Sequence, residues 1–158
     1  MKIGVLSDTH VPTRASCLPK EVKQALHHVD LILHAGDFVS IEMYEQLQQL
    51  APVEAVAGNM DRPEITRVLP SQREIEVTGK TIGITHGWGG PWDLPQRVCS
   101  RFRPDIDCIV FGHSHTPYYR KEGRTLLFNP GSPVSSSYRS YGLLTVEEGR
   151  ISGEIIHF

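Results

Sequence analysis

Short apolar runs alternate with amphipathic segments along the first 60 residues of the chain. Residues 2–7, 30–36 and 52–59 are short and mostly apolar, which is typical of buried strands. Residues 19–28 and 40–50 carry apolar positions at helical spacing, with Ser40 placed as a helix N-cap. The order strand, helix, strand, helix, strand predicts two right-handed crossover units and a parallel sheet.

The remainder of the chain has a different pattern. Residues 72–87, 116–132 and 140–158 each contain two strand-like segments around a glycine turn, which predicts three β-hairpins. Residues 93–102 are predicted to form a helix and residues 105–115 a buried strand. Together these elements predict one α/β domain over residues 1–158, with two sheets packed face to face and helices outside.

Composition narrows the classes of function. The 158 residues are 39% hydrophobic and 22% charged, and the formal net charge is -2, which makes nucleic acid an unlikely partner. No apolar run approaches the roughly 20 residues that span a bilayer, and the first apolar run is too short for a signal peptide. The 3 cysteines are widely separated, which favours free thiols and a cytoplasmic location.

Polar metal-binding side chains follow five of the predicted strands. They are Asp8 and His10, Asp37, Asn59, His86, and His113 with His115. Ligands of open α/β sheets bind outside the carboxyl ends of the strands, so we expect these side chains to converge. Taken singly, each of them is compatible with a turn or a solvated loop. Their joint occurrence favours a site for two divalent ions with nitrogen and oxygen ligands, compatible with Mn, Fe, Zn, Co or Ni.

Several residues near these strand ends have two interpretations. His34 either orients a ligand or is a core histidine bonded to the backbone. Trp88 and Trp92 either form a stacking wall for an aromatic group or pack their glycine-rich loop against the body of the protein. Residues 129–132, Asn-Pro-Gly-Ser, are expected to shape a turn rather than to bind substrate.

The motifs LSDTH, HAGDF, AVAGNMD, THG, FGHSHTP and NPGS, in this order, resemble those of the calcineurin-like metallophosphoesterase superfamily. They are most similar to its small bacterial and archaeal phosphodiesterases, which are related to the retromer subunit of the same fold. The resemblance implies a four-layer αββα sandwich, in which helices flank two mixed β-sheets. It also implies hydrolysis of a small phosphodiester by a hydroxide that bridges two ions, manganese being the most expected metal.

The resemblance assigns the ligands to two ions. One ion would be held by Asp8, His10, Asp37 and His115, and the other by Asp37, Asn59, His86 and His113, so that Asp37 is shared. Asn59, Asp61 and His86 would act in catalysis.

The sequence departs from the family pattern at one position. Many members have histidine where this chain has Met60, and that histidine assists the leaving oxygen; its usual partner, Asp61, is present. Methionine cannot donate a proton, so we predict that aryl phosphodiesters are hydrolysed better than alkyl monoesters.

Two other functions remain open on this fold. One is a protein-interaction scaffold with little catalysis, as the retromer subunit is, and the other is a nuclease. Coordinating side chains at all seven positions favour the enzyme, and the charge and size argue against the nuclease. The sequence leaves the oligomeric state open, a homo-oligomer being possible.

Overall fold

The computed structural model describes residues 1–158 and contains ten strands and four helices. The strands are β1 (Lys2–Leu6), β2 (Leu31–His34), β3 (Val53–Ala55), β4 (Gln72–Val77), β5 (Lys80–Thr85), β6 (Cys108–Val110), β7 (Tyr118–Glu122), β8 (Thr125–Asn129), β9 (Ser140–Glu147) and β10 (Arg150–His157). The helices are α1 (Lys20–Leu26), α2 (Ile41–Gln48), α3 (Pro63–Thr66) and α4 (Leu94–Cys99).

The first sheet has the strand order β10-β9-β1-β2-β3. Its β1, β2 and β3 run parallel, as the alternation of strands and helices predicts, with Ile3 opposite Leu31 and His34 opposite Ala55. The hairpin β9–β10 adds to β1 in antiparallel orientation. The carboxyl ends of the three parallel strands therefore meet at one edge of the sheet.

The second sheet has the strand order β4-β5-β6-β8-β7. Strands β5, β6 and β8 are parallel, and the edge strands β4 and β7 are the antiparallel partners of β5 and β8. All three predicted hairpins are thus present. Both sheets are mixed, and each contains three neighbouring parallel strands, of which all but β8 are followed by a predicted ligand.

Three apolar clusters separate four layers. Side chains such as Val5, Leu33, Ile84 and Phe128 are fully buried between the two sheets. A second cluster packs α1, α2 and α3 on the outer face of the first sheet, and a third packs α4 on the outer face of the second. Burying one such side chain stabilises the fold by about 1.5–3 kcal/mol. The predicted αββα sandwich is confirmed.

The helices differ from the prediction in detail. All three predicted helices are shorter than the apolar spacing indicates, and α3 was not predicted. Helix α3 has only four residues, too few for a periodic pattern; Pro63 occupies its first turn and Ile65 is buried. Ser40 stands at the N-cap of α2 with extended backbone, but its side chain makes no capping hydrogen bond. None of the four helices has the length and the apolar character of a membrane-spanning helix.

A carboxylate joins the turns at the other end of the second sheet. Asp107 accepts hydrogen bonds from the Thr81 amide at 3.0 Å, from Lys80 at 3.0 Å and from Arg124 at 3.3 Å. Burial alone would raise the pKa of Asp107, but these donors outweigh it and hold the pKa below its ordinary value. This ion-pair group lies apart from the loops that carry the predicted ligands.

Candidate metal centre

The structure brings together all seven predicted metal ligands. They follow the carboxyl ends of β1, β2, β3, β5 and β6, where the loops of both sheets face one another. Asp8, His10, Asp37 and His86 are buried, whereas Asn59 is exposed and His113 and His115 are half-buried. The cluster is therefore open to solvent on the side of Asn59 and closed on the side of Asp8.

One group of ligands consists of Asp8, His10 and His115. The Nε2 atom of His115 lies 3.2 Å from Asp8 Oδ1 and 3.2 Å from His10 Nε2. The distance from His10 Nε2 to Asp8 Oδ1 is 3.9 Å. Three potential ligand atoms within such distances can share one cation, and this trio meets the geometric requirement for a metal site.

The second group contains Asp37, Asn59, His86 and His113. Asn59 Oδ1 lies 3.0 Å from both His86 Nε2 and His113 Nδ1. Asp37 Oδ2 is 3.3 Å from His86 Nε2, and on its other side it is 3.7 Å from His10 Nε2. One oxygen of Asp37 thus faces both groups, while its Oδ1 accepts a 2.7 Å hydrogen bond from the Met60 amide.

Two of the histidines are oriented by backbone carbonyls. His86 Nδ1 donates to the carbonyl oxygen of Ala35 at 2.7 Å, and His113 Nε2 donates to that of Gly89 at 2.8 Å. A ring nitrogen that donates to a carbonyl leaves the opposite nitrogen available as a ligand. The free nitrogens, Nε2 of His86 and Nδ1 of His113, are the ones that face Asn59.

The residues present fit a divalent cation. Asp8 Oδ1 is buried and has no hydrogen-bond partner in the protein. An unpaired buried carboxylate oxygen is costly, and a cation beside it would remove that cost. The surrounding atoms are imidazole nitrogens and carboxylate or amide oxygens, which suit divalent transition metals.

The pKa shifts of three predicted ligands describe the electrostatics of the site. Burial lowers the pKa of His10, which keeps its imidazole neutral and able to coordinate. Burial would raise the pKa of Asp37, but the hydrogen bond and charge of His86, the Met60 amide and His10 together outweigh this and the pKa is lowered. Burial would lower the pKa of His86, but Asp37 and Asp8 outweigh it and the pKa is raised. The two buried carboxylates thus favour positive charge at His86, and the same negative charge would favour a bound cation.

The backbone at the ligands is unusual. Asp8, His10, Asp37, His113 and His115 all have positive φ, between 45° and 70°. Asp and His tolerate this left-handed region better than most residues, but it remains a sparsely populated conformation.

Two glycines allow the ligand loops to approach one another. A Cβ atom at Gly58 would lie 2.2 Å from Asp37 Oδ1, and one at Gly112 would lie 2.7 Å from Asp8 Oδ2. Both contacts are far inside van der Waals distance. Gly58 and Gly112, which directly precede the predicted ligands Asn59 and His113 in the sequence, are therefore required for steric reasons.

Asp61 holds two ligand loops together. Its Oδ2 accepts hydrogen bonds from the amides of Gly58 at 2.7 Å and Asp37 at 3.0 Å, and its Oδ1 accepts one from Val39 at 2.7 Å. Burial raises the pKa of Asp61, and the three amide donors oppose that shift. Sequence reasoning placed Asp61 in catalysis; in the structure both of its oxygens are bound to the backbone beside Asp37.

Other buried polar residues hold the remaining loops. His34 accepts a bond from the Gly36 amide at Nδ1 and donates from Nε2 to Thr9 Oγ1, both at 3.1 Å, so it bonds the backbone and also contacts the Asp8–His10 loop. Burial keeps its pKa well below the ordinary value. Asn129 donates to the Gly112 carbonyl at 2.9 Å, and Ser132 Oγ donates to the Asp8 carbonyl at 2.8 Å. The Asn-Pro-Gly-Ser segment therefore shapes the loops, as expected.

Two arginines at the site were not identified from the sequence. Arg97 of α4 donates to the carbonyl oxygens of Trp88, Gly90 and Trp92 and so fixes the glycine-rich loop. Trp88 is partly exposed, whereas Trp92 is 82% exposed and does not pack the loop.

Arg14 Nη1 lies 3.3 Å from His115 Nδ1 at the rim of the centre. Arg14 could have been identified from the sequence, because it is a basic residue in the loop that follows β1. The contacts of Arg97 could not, because they depend on the path of the glycine-rich loop.

The sandwich and its nitrogen- and oxygen-lined centre define a protein of the metallophosphoesterase class. The family model of the calcineurin-like phosphoesterase superfamily domain matches residues 1–149, so the chain belongs to that superfamily. This confirms the resemblance and the prediction of a hydrolase acting on phosphoric esters at the level of the family.

Individual relatives agree with this assignment. A probable metallophosphoesterase of Methanothermobacter thermautotrophicus is 39% identical over 159 aligned residues, which cover 99% of this chain and 92% of the relative. A phosphodiesterase of Methanocaldococcus jannaschii is 28% identical over 148 residues, 83% of each chain. The crystal structure of a single mutant of Vps29 from Entamoeba histolytica is 25% identical with a TM-score of 0.76, and the match covers 100% of this chain and 99% of that one.

Proposed function

We propose that this protein hydrolyses small phosphodiesters at a site for two divalent ions. The first ion set is Asp8, His10, Asp37 and His115, and the second is Asp37, Asn59, His86 and His113. The observation that carries the proposal is the position of Asp37, whose Oδ2 lies 3.3 Å from His86 Nε2 and 3.7 Å from His10 Nε2. A carboxylate oxygen between two ligand groups is what a shared ligand requires.

Two bound ions would supply an activated water as nucleophile and offset the charge of the phosphate during in-line displacement. The protein's part is to hold the ligands before substrate arrives. The Ala35 and Gly89 carbonyls fix the rings of His86 and His113, and the Met60 amide fixes Asp37. Asn59, the exposed member, lies where a phosphate can enter.

The leaving group is expected to depart without strong help from the protein. Met60 is 56% exposed and has no acidic proton, and both oxygens of Asp61 accept backbone hydrogen bonds. General acid catalysis is typically worth about 10²–10⁴-fold. Aryl diesters, whose leaving groups need no protonation, should therefore be better substrates than alkyl monoesters.

Manganese is the metal we propose to test first, followed by iron, zinc, nickel and cobalt, since all of them accept this donor set. The three free cysteines are compatible with the predicted cytoplasmic location. A scaffold remains the alternative because Vps29 has the same fold. We favour the enzyme because every ligand position carries a coordinating side chain and because Asp8 Oδ1 is buried without a partner.

The test combines metal titration with two substrates. Purified protein is stripped with a chelator, reloaded with Mn²⁺, and assayed with bis(p-nitrophenyl) phosphate and with glycerol phosphate. We expect Mn²⁺-dependent hydrolysis of the aryl diester, two ions per chain by elemental analysis, and loss of both in Asp37→Ala. The matched control is His28→Gln, which changes an exposed histidine of the α1–β2 turn. Metal binding without hydrolysis of either substrate would favour the scaffold.

A further inference from the structure

A cavity of about 310 Å³ adjoins the second group of ligands. Asn59 and His86 form the wall that faces the metal centre. The other polar or aromatic side chains that line it are Thr66, Ser71, Thr85, Trp88 and Arg101. A group attached to a phosphate at the metal centre would have this cavity as its neighbour.

Arg101 is the one arginine or lysine that lines this cavity, and no acidic residue lines it. Its guanidinium carbon lies 4.3 Å from the centroid of the Trp88 ring. Its side chain takes part in no salt bridge or hydrogen bond, whereas neighbouring Arg103 pairs with Glu74 and Asp105. Arg101 is therefore an unpaired cation that an aromatic ring holds at the cavity.

The arrangement favours an anion over a nucleobase. A guanidinium placed over a ring face makes that contact without using its N–H donors, which remain able to bind a carboxylate or phosphate in a forked geometry. The face of Trp88 toward Arg101 is already covered and is not free to stack a base. The hydroxyl group of Ser71, at an exposed position, can donate a further hydrogen bond to an anion in the cavity, whereas that of Thr66 already donates to the Pro63 carbonyl.

We propose that this cavity is a substrate subsite in which Arg101 binds a second acidic group. The substrate class is a phosphodiester whose ester arm carries a carboxylate or phosphate beyond the scissile phosphate. The inference rests on the proposed function, since it places the scissile phosphate at the metal centre. Under this proposal the ligands hold the metal ions and Arg101 selects the substrate.

The experiment compares two substrates of matched size. Both are p-nitrophenyl diesters; one has a 3-carboxypropyl arm and the other the isosteric neutral 3-carbamoylpropyl arm. We expect the Mn²⁺-loaded wild type to favour the substrate with the carboxylate arm by about tenfold in kcat/KM. A charge-assisted hydrogen bond at an exposed arginine has an effect of about this size. Arg101→Gln should bring the ratio to about one, and Arg101→Lys should keep part of it.

The control is Arg120→Gln, an exposed arginine on β7 that makes no side-chain contact with the cavity; it should keep the wild-type ratio. Equal rates for the two arms in the wild type, or an unchanged ratio in Arg101→Gln, would overturn the subsite. Bis(p-nitrophenyl) phosphate distinguishes failure of the subsite from failure of the proposed function. If the protein hydrolyses this diester but hydrolyses the two test substrates at equal rates, only the subsite is rejected. If it hydrolyses none of the diesters, the proposed function is rejected as well.

Discussion

Replacing Asp61 with asparagine tests whether this carboxylate holds the metal-ligand loops in place. An amide has one acceptor oxygen, which can keep the bonds to Gly58 and Asp37, but its NH₂ group then faces the Val39 amide. Losing a hydrogen bond to a charged group and leaving a buried donor unpaired costs about 1.5–3 kcal/mol. Since burial raises the pKa of Asp61, removing the charge recovers part of that cost. We expect a net loss of about 2 kcal/mol.

For a chain of this size that loss lowers the melting temperature by about 4–8 °C. The measurement is thermal unfolding of the metal-free protein by circular dichroism, with Glu45→Gln, an exposed carboxylate on α2, as control. Mn²⁺ affinity should fall too, because Asp37 is one of the residues whose amide Asp61 binds. An unchanged melting temperature with a more than about 100-fold fall in kcat at saturating Mn²⁺ would refute this reasoning and assign Asp61 to proton transfer.

Three further changes test other parts of the structure. Gly112→Ala puts a methyl group against Asp8 and should weaken Mn²⁺ binding at least about tenfold in a titration, because the ligand loop must shift. Asp107→Asn should lower the urea unfolding free energy of the metal-free protein by about 1 kcal/mol at pH 7. The folded pKa of this carboxyl is depressed, so that difference should disappear as the pH falls below about 4 and through the folded pKa. Arg97→Gln should free the loop around Trp88, which would raise the quenching of tryptophan fluorescence by iodide while lowering the melting temperature by less than about 4 °C.

Each of these changes has an outcome that contradicts its reasoning. Wild-type Mn²⁺ affinity in Gly112→Ala would mean that the loops shift freely and that close approach is not required. A stability difference for Asp107→Asn that does not shrink as the pH falls below about 4 would show that its charge is not the stabilising feature. Unchanged quenching in Arg97→Gln would mean that the loop is held by other contacts.

The convergence of the predicted ligands was predictable because parallel strands bring their carboxyl ends to one edge. Asp8, Asp37 and Asn59 follow β1, β2 and β3, so their proximity follows from topology alone. The same argument applies to His86 and His113 in the second sheet. Strand position and residue type were sufficient to predict which side chains meet, because that prediction does not depend on side-chain rotamers.

The roles that the sequence did not predict depend on contacts with the backbone of distant loops. The catalytic role of Asp61 stays a prediction from its motif, but its contacts with amides 3, 22 and 24 residues away could not be predicted from that motif. Arg97 and Arg101 lie on and just after α4, and their contacts with the Trp88 loop depend on the path of that loop. Helix α3 escaped prediction because four residues are too few to carry a hydrophobic period.

The cost of the ligand geometry bears on the choice between enzyme and scaffold. Five ligands have left-handed backbone, and Asp8 Oδ1 is buried without a partner. Left-handed conformations at residues other than glycine and an unpaired buried acceptor each cost on the order of 1–3 kcal/mol. Residues outside the ligand set, such as Asp61, Asn129 and Ser132, hold these loops in place.

A surface used only for docking gains nothing from such an arrangement, because a relaxed turn would stabilise the fold better. A bound cation gives Asp8 its missing partner and uses the aligned nitrogens of His86 and His113. A bound cation would therefore account for the strained loops, which a docking surface does not need.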